Sequence, residues 1–341
     1  MSRRKRKAQS PQTIPPPKPR GPNMLLIGGG IALLALLVLG GVLALRGTGD
    51  NQSNRSATPG PIGYSTGCIR VPPFAREMGF GQTAVLDTQS RFLPGMLLYE
   101  PGPDGQPLSN PPPYRHPSWG NAGFLSHVLF DRDGAVYTAP APWISTLNNP
   151  PEQANTIYRV DPQTAEMQPL LSLPAAAPPN EANVYGILAM TYDCDTHSLY
   201  VSSVAGSTRS QELGRLFRVD LSNKQVSIIR ENIDPFGVGV FNTAKGKRLY
   251  YALARASKIY SLPLSATGEP IGEPREELDF SDQGVRGNER ARRIIFNKEL
   301  TMSLRLIQFD FTLTAPTDVR QTNLLYLYDQ SNDRWILQNT E

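Results

Sequence analysis

A short apolar phrase ending in Asp or Asn returns five times along this 341-residue chain, and it limits the fold more than any other feature. Its copies are Gln82–Asp87, Ser126–Asp131, Leu188–Asp193, Gly237–Asn242 and Arg292–Asn297. Asp and Asn favour tight turns because their side chains hydrogen-bond the local backbone. In three copies the turn leads to a second apolar phrase, Ala135–Ala139, Leu199–Ser203 or Arg248–Ala252. A third strand phrase recurs at 156–161, 214–220, 258–262 and 323–329, and a fourth at 226–229 and 335–337. The turn residues 87, 131, 193, 242 and 297 are 44, 62, 49 and 55 residues apart. Four short antiparallel strands recurring at roughly 40–60 residues are the pattern of β-propeller blades. No helical period appears after residue 67.

The phrase Phe130-Asp131-x-x-Gly134-x-Val136-Tyr137 and the phrase Ile157-Tyr-Arg-Val-Asp161 resemble propellers of the NHL, SMP-30/gluconolactonase and YVTN-like group. The resemblance covers about 120–341 and is weak over 67–119. It implies an all-β propeller, with five blades expected and six as the alternative. It speaks for architecture rather than activity, since propellers host many unrelated functions. The gluconolactonase group holds a central divalent metal. For this chain the resemblance therefore implies Glu181, Asn183 and Asp234 as oxygen donors to a divalent cation such as calcium. Asp131-Arg-Asp133-Gly134 reads as a structural turn, because a calcium loop needs more ligands nearby.

The start of the chain is of another kind. Residues 1–23 are basic and proline-rich, with seven Lys/Arg and no acid. Residues 24–45 are uncharged and apolar, long enough for a helix to cross a bilayer core. The positive-inside rule then places the N-terminus in the cytoplasm and the remainder outside, as a single-pass signal anchor. A cleaved signal peptide is the competing reading, but its apolar core is usually shorter and followed by a small-x-small site. Residues 46–66 read as a flexible Gly/Ser/Pro linker, and 67–341 as the propeller domain. Eight of the 34 bases lie in residues 1–46, leaving 26 bases against 30 acids beyond them. The folded part is mildly acidic, which gives nucleic-acid binding no electrostatic support. Two cysteines, Cys68 and Cys194, lie in the exported part and are either one disulfide or two separate thiols.

Turns between first and second strands, and between third and fourth, are short. The other loops are long, and in an up-and-down blade they emerge on one face. Loops on a rigid scaffold carry function, so ligand-binding residues are expected there: Trp119, Asn121, Tyr185, Arg290, Arg292 and Arg293, with Arg286 and Glu289 beside them. Trp119 would supply a stacking surface and the arginines anion-binding forks. His127, in an innermost strand, is a further candidate facing the channel. No nucleophile elbow, zinc-protease motif or phosphate loop is present. The expected function is a binding or scaffolding module for a protein, small molecule or saccharide. The alternative is a propeller hydrolase, lactonase or lyase with a central metal.

Overall fold

The computed structural model describes residues 61–88, 93–126, 128–142, 146–178, 180, 182–283, 287–313 and 322–340. The basic tail, the apolar run and linker residues 46–60 lie outside the described residues. Among those described, no helix is long and apolar enough to cross a membrane.

The fold is all-β, and its unit is the four-stranded antiparallel meander. Strands β4 (Leu129–Phe130), β5 (Val136–Thr138), β6 (Thr156–Val160) and β7 (Met167–Ser172) form one such sheet. The next holds β8 (Ile187–Asp193), β9 (Ser198–Ser203), β10 (Arg215–Asp220) and β11 (Gln225–Glu231). Then come β12 (Pro235–Thr243), β13 (Gly246–Leu253), β14 (Lys258–Pro263) and β15 (Arg275–Asp279). The last sheet is β16 (Arg290–Phe296), β17 (Thr301–Ile307), β18 (Thr322–Asp329) and β19 (Arg334–Thr340). Before these lies a two-stranded pair, β2 (Val85–Asp87) and β3 (Leu97–Tyr99), beside a five-residue helix α1 (Pro73–Glu77).

Burial grades across each meander. All nine residues of β12 are buried, whereas β11 and β15 are largely half-buried or exposed. The first strand of each sheet is therefore central and the fourth is at the rim. The period-2 alternation of a strand then does the stacking. On β9, Leu199 and Val201 pack back against Ala135, Tyr137 and Ile157 of the preceding sheet. Tyr200, between them, packs forward with Leu249 and Leu262 of the following sheet. The next interface repeats this with Phe241 and Tyr250 against Met302, Leu304, Tyr328 and Trp335. Sheets stacked face to face in chain order, inner strand beside inner strand, are propeller blades. Gly239 on β12 lets this happen at close range: a Cβ there would meet the Phe296 ring at 2.8 Å.

The recurrent Asp is explained by its side chain. Asp131 Oδ1 accepts from the Asp133 and Ala135 backbone N–H groups at 2.8 and 2.9 Å, and Oδ2 accepts from Tyr137 Oη–H. Asp161, Asp220 and Asp329 each accept a backbone N–H two residues on. Each carboxylate satisfies turn donors that the ladder leaves over.

One expectation changes. Residues 61–66, expected within the flexible linker, are part of the fold as a strap. Strand β1 (Gly63–Tyr64) pairs with Asn242 and Phe241 at the inner edge of β12. Cys194 N–H then donates to Ser65 O at 3.0 Å, and Arg70 N–H to Asp131 O at 3.1 Å. A Cys68–Cys194 disulfide fixes the crossing, which settles the pairing left open by the sequence. The strap thus runs along the turn ends of three innermost strands. Trp335 lies between the last two full sheets, against Phe241, Tyr250, Phe296 and Tyr328. The opposite face of the last sheet carries the exposed Ile295, Leu327 and Ile336, and among the described residues no buried cluster joins it to β2 and β3.

Candidate functional site: the central channel and its long-loop rim

The long loops divide into pinned structure and an open cavity. Asp234, expected as a metal donor, is fully buried. Its Oδ1 accepts from Ser207 Oγ–H and from Gly214 N–H, and its Oδ2 is paired with Arg255 Nε. Arg255 also donates to the carbonyls of Thr208, Arg209 and Gln211, and lies 4.8 Å from the Phe311 ring centroid. This charge-assisted clamp shapes the loop at 204–213. Asn183 is buried in the same way, with Nδ2 donating to Val204 O and Oδ1 accepting from Tyr185 N–H. Both residues are therefore engaged by protein groups in this structure. The third, Glu181, lies outside the described residues, as do His127 and Arg286.

Other expected ligand residues also turn inward. Trp119 is completely buried, donating its indole N–H to Ala165 O at 2.8 Å and packing edge-on against Tyr114. It offers no stacking surface; the apolar ring has more to gain in the core around Phe74 and Leu98. Asn121 is exposed and ends the short 3-10 turn Pro117–Gly120, its N–H donating to Ser118 O. Arg290 donates to Ala254 O, Ser257 Oγ and Glu289 O, so it ties the 254–257 turn to β16.

Tyr185, Arg292 and Arg293 do come together. The Tyr185 ring packs against Phe309, which packs against Phe236 and Phe311, forming an aromatic rim. Burial pushes the Tyr185 phenol up to about 12, with the Arg292 charge opposing. A cavity of about 260 Å³ lies among the inner strands. Its walls are Val128, Ala189, Met190, Val238, Val240 and Ile294, its strap side is Tyr64 and Thr66, and Arg292 and Arg293 also line it. The register of β16 against β17 shifts between Ala291 and Arg293, which is a bulge at Arg292. A bulge breaks strict alternation and re-aims a side chain.

These arginines differ from Arg255, which is paired with Asp234, in having no ion-pair partner among the described residues. Among the described residues, neither Arg292 nor Arg293 has a carboxylate within ion-pair distance. Arg305 sits directly opposite Arg293 across the strand pair, and like charges so placed destabilise a sheet. Burial, then the Arg305 and Arg292 charges, pull Arg293 down to about 10. Burial also lowers Arg292, assisted by Arg305 and opposed by Tyr185. Sequence reasoning missed Arg305 and Arg255. Arg305 had a faint signal, as the only cation in the apolar alternation Met302-Ser-Leu-Arg-Leu-Ile307. Arg255 had none.

The one grouping of three potential metal ligands among the described residues is elsewhere. Asp131, Asp133 and His197 place ligand atoms within 4.8 Å of one another. Asp131 already accepts two turn N–H bonds and one from the Tyr137 hydroxyl, and burial, together with the Arg132 charge, lowers the His197 imidazole.

No protein-family model matches the chain, and no curated protein matches it. Among solved structures it is similar to β-propeller proteins. A nidogen/laminin complex structure matches with TM-score 0.43 and 11% identity over 72% of this chain and 71% of that one. A luciferin-regenerating enzyme matches with TM-score 0.45 and 12% identity over 84% and 79%. The tricorn protease matches with TM-score 0.42 and 14% identity over 76% of this chain and 26% of that one. Likeness at this level carries no argument about ligand or activity.

Proposed function

We propose that this chain is a membrane-anchored binding module, with residues 24–45 as its single-pass anchor and a five-bladed propeller displayed outside the cytoplasmic membrane. The fifth blade is the rudimentary β2–β3 pair preceding the four full sheets. The partner, a protein, small molecule or saccharide, meets the long-loop face. One observation carries this reading: the Arg255–Asp234 clamp holds the 204–213 loop in a single shape beside the Tyr185–Phe309 rim. A rigid loop frame loses little entropy on binding. The opposite face has its turn carboxylates engaged internally and is crossed by the strap.

Site-specific photo-crosslinking in the native host tests it. Crosslinker at Asn288, Gln308 or Asp310 on the long-loop side should give defined adducts. Crosslinker at Asn223, Lys245 or Ser331 in the short turns should give none. Adducts from the short turns alone would reverse the working face. A stoichiometric divalent metal in the purified full chain would instead favour the metal-dependent hydrolase.

A further inference from the structure

A protein that buries a cation for its own stability normally supplies a partner, because desolvation is costly. This chain does so at Lys247 with Asp193, at Arg255 with Asp234, and at Arg218 with Glu269. At the channel, two half-buried arginines lack one. Arg292 and Arg293 line an apolar cavity, Arg305 adds a like charge beside them, and among the described residues none of the three has an ion-pair partner. The arrangement is unfavourable in the ligand-free fold. Functional sites hold such uncompensated groups in place for a ligand that completes them.

The walls specify the rest of that ligand. Most of the lining is aliphatic, and about 260 Å³ is just under the usual small-molecule pocket range of about 300–1,000 Å³. A folded domain or a nucleic-acid strand does not enter such a space. Two adjacent guanidiniums match a planar carboxylate or a phosphate head by paired hydrogen bonds. The strap residues Tyr64 and Thr66 line the same cavity, so the head lies at Arg292 and Arg293 and the body along the aliphatic wall.

We propose that the channel cavity is a binding site for a small amphipathic anion, with a carboxylate or phosphate head on Arg292 and Arg293 and a short apolar body against Met190, Val238 and Val240. The cavity and the long-loop rim are separate readouts, so crosslinking can fail while the cavity binds, and the reverse.

The test uses the full chain in nanodiscs of zwitterionic lipid, with empty nanodiscs as the blank. Calorimetric titration compares hexanoate and butyl phosphate with hexanol and inorganic phosphate. Either amphipathic anion should bind at least tenfold more tightly than both controls, and which one does identifies the head group. In the R292Q/R293Q variant this binding should fall at least tenfold. The ligand-free melting temperature of that variant should equal or exceed the wild type, because an uncompensated charge has gone. A purely structural pair of arginines would instead lower it. Equal binding of hexanol and hexanoate, no binding of either anion, or unchanged affinity in R292Q/R293Q overturns the proposal. The head-group comparison is made within the wild-type chain, so it stands even if the variant folds poorly.

Discussion

Lys247 is a buried cation and Arg292 a half-buried one, and they are treated in opposite ways. Lys247 lies between two sheets, its Nζ 2.6 Å from the fully buried Asp193 and also paired with Asp195. Arg292 lines the channel among aliphatic side chains, and the Arg305 charge acts on it. The fold completes the charge it needs for packing and leaves incomplete the charge that faces the cavity. Ion pairing is concentrated around the turn carboxylates, and the arginine end of β16 is left without it.

The largest expected break in this contrast is Lys247→Ala. It leaves Asp193 buried without its cation, a loss of about 3–5 kcal/mol in urea unfolding; a loss under about 1 kcal/mol would mean that water replaces Lys247 and that the two cations are alike. The strap comes next. Replacing Cys68 and Cys194 with serine should cost about 2–5 kcal/mol, since the bridge closes a span of 126 residues. The same change should leave binding of a channel ligand within a few-fold if the arginines, rather than the strap, hold it. Differential scanning calorimetry and titration together separate these effects.

A smaller effect is pH-dependent and belongs to the compensated side. Burial alone would raise the Asp333 carboxyl, but hydrogen bonds from Arg275 and Tyr328 and the Arg275 and Lys245 charges bring it below the ordinary carboxylate range. A depressed folded value means that its contribution is complete above the unfolded value of about 3.9 and is lost as pH falls through the folded one. Stability measured from pH 5 downward should therefore decline less steeply in Asp333→Asn than in the wild type; parallel slopes would show that Asp333 is not a linked proton site. The smallest effect is at the arginine end. Arg305→Gln removes the like charge opposite Arg293 and should raise stability by about 0.2–1 kcal/mol. A clear loss would mean that Arg305 has a stabilising role the contrast does not allow.

Much of the architecture was legible because propeller blades announce themselves locally. The phrase at 188–193 is a strand because its residues are apolar, and it stops at Asp193 because that carboxylate engages the turn. Both facts are written within a few residues. The sites were less legible because they depend on pairings distant in sequence. Asp234 looked like a free oxygen donor until Arg255 and Ser207 closed on it from 21 and 27 residues away. Trp119 looked like a loop aromatic, yet its indole finds Ala165 O, 46 residues on, and disappears into the core. Arg290, Arg292 and Arg293 read as one cluster. A one-residue bulge separates them into a structural tie and a pair facing the channel, and composition does not encode a register shift. The strap was misread as linker because its Gly, Ser and Thr content suits both roles.

The pairing of β1 with β12 also sets a timetable for making the protein. Gly63 is among the first of the described residues to be synthesised, yet its partner Asn242 follows 179 positions later. At a synthesis rate of about 5–20 residues per second, the strap waits roughly ten to forty seconds for the strand it joins. Cys68 waits 126 residues for Cys194. With only two cysteines in the chain, that interval contains no wrong partner within the same molecule. The final covalent lock is therefore a late event that records the arrival of the central sheets, and a chain arrested before them keeps Cys68 as a free thiol.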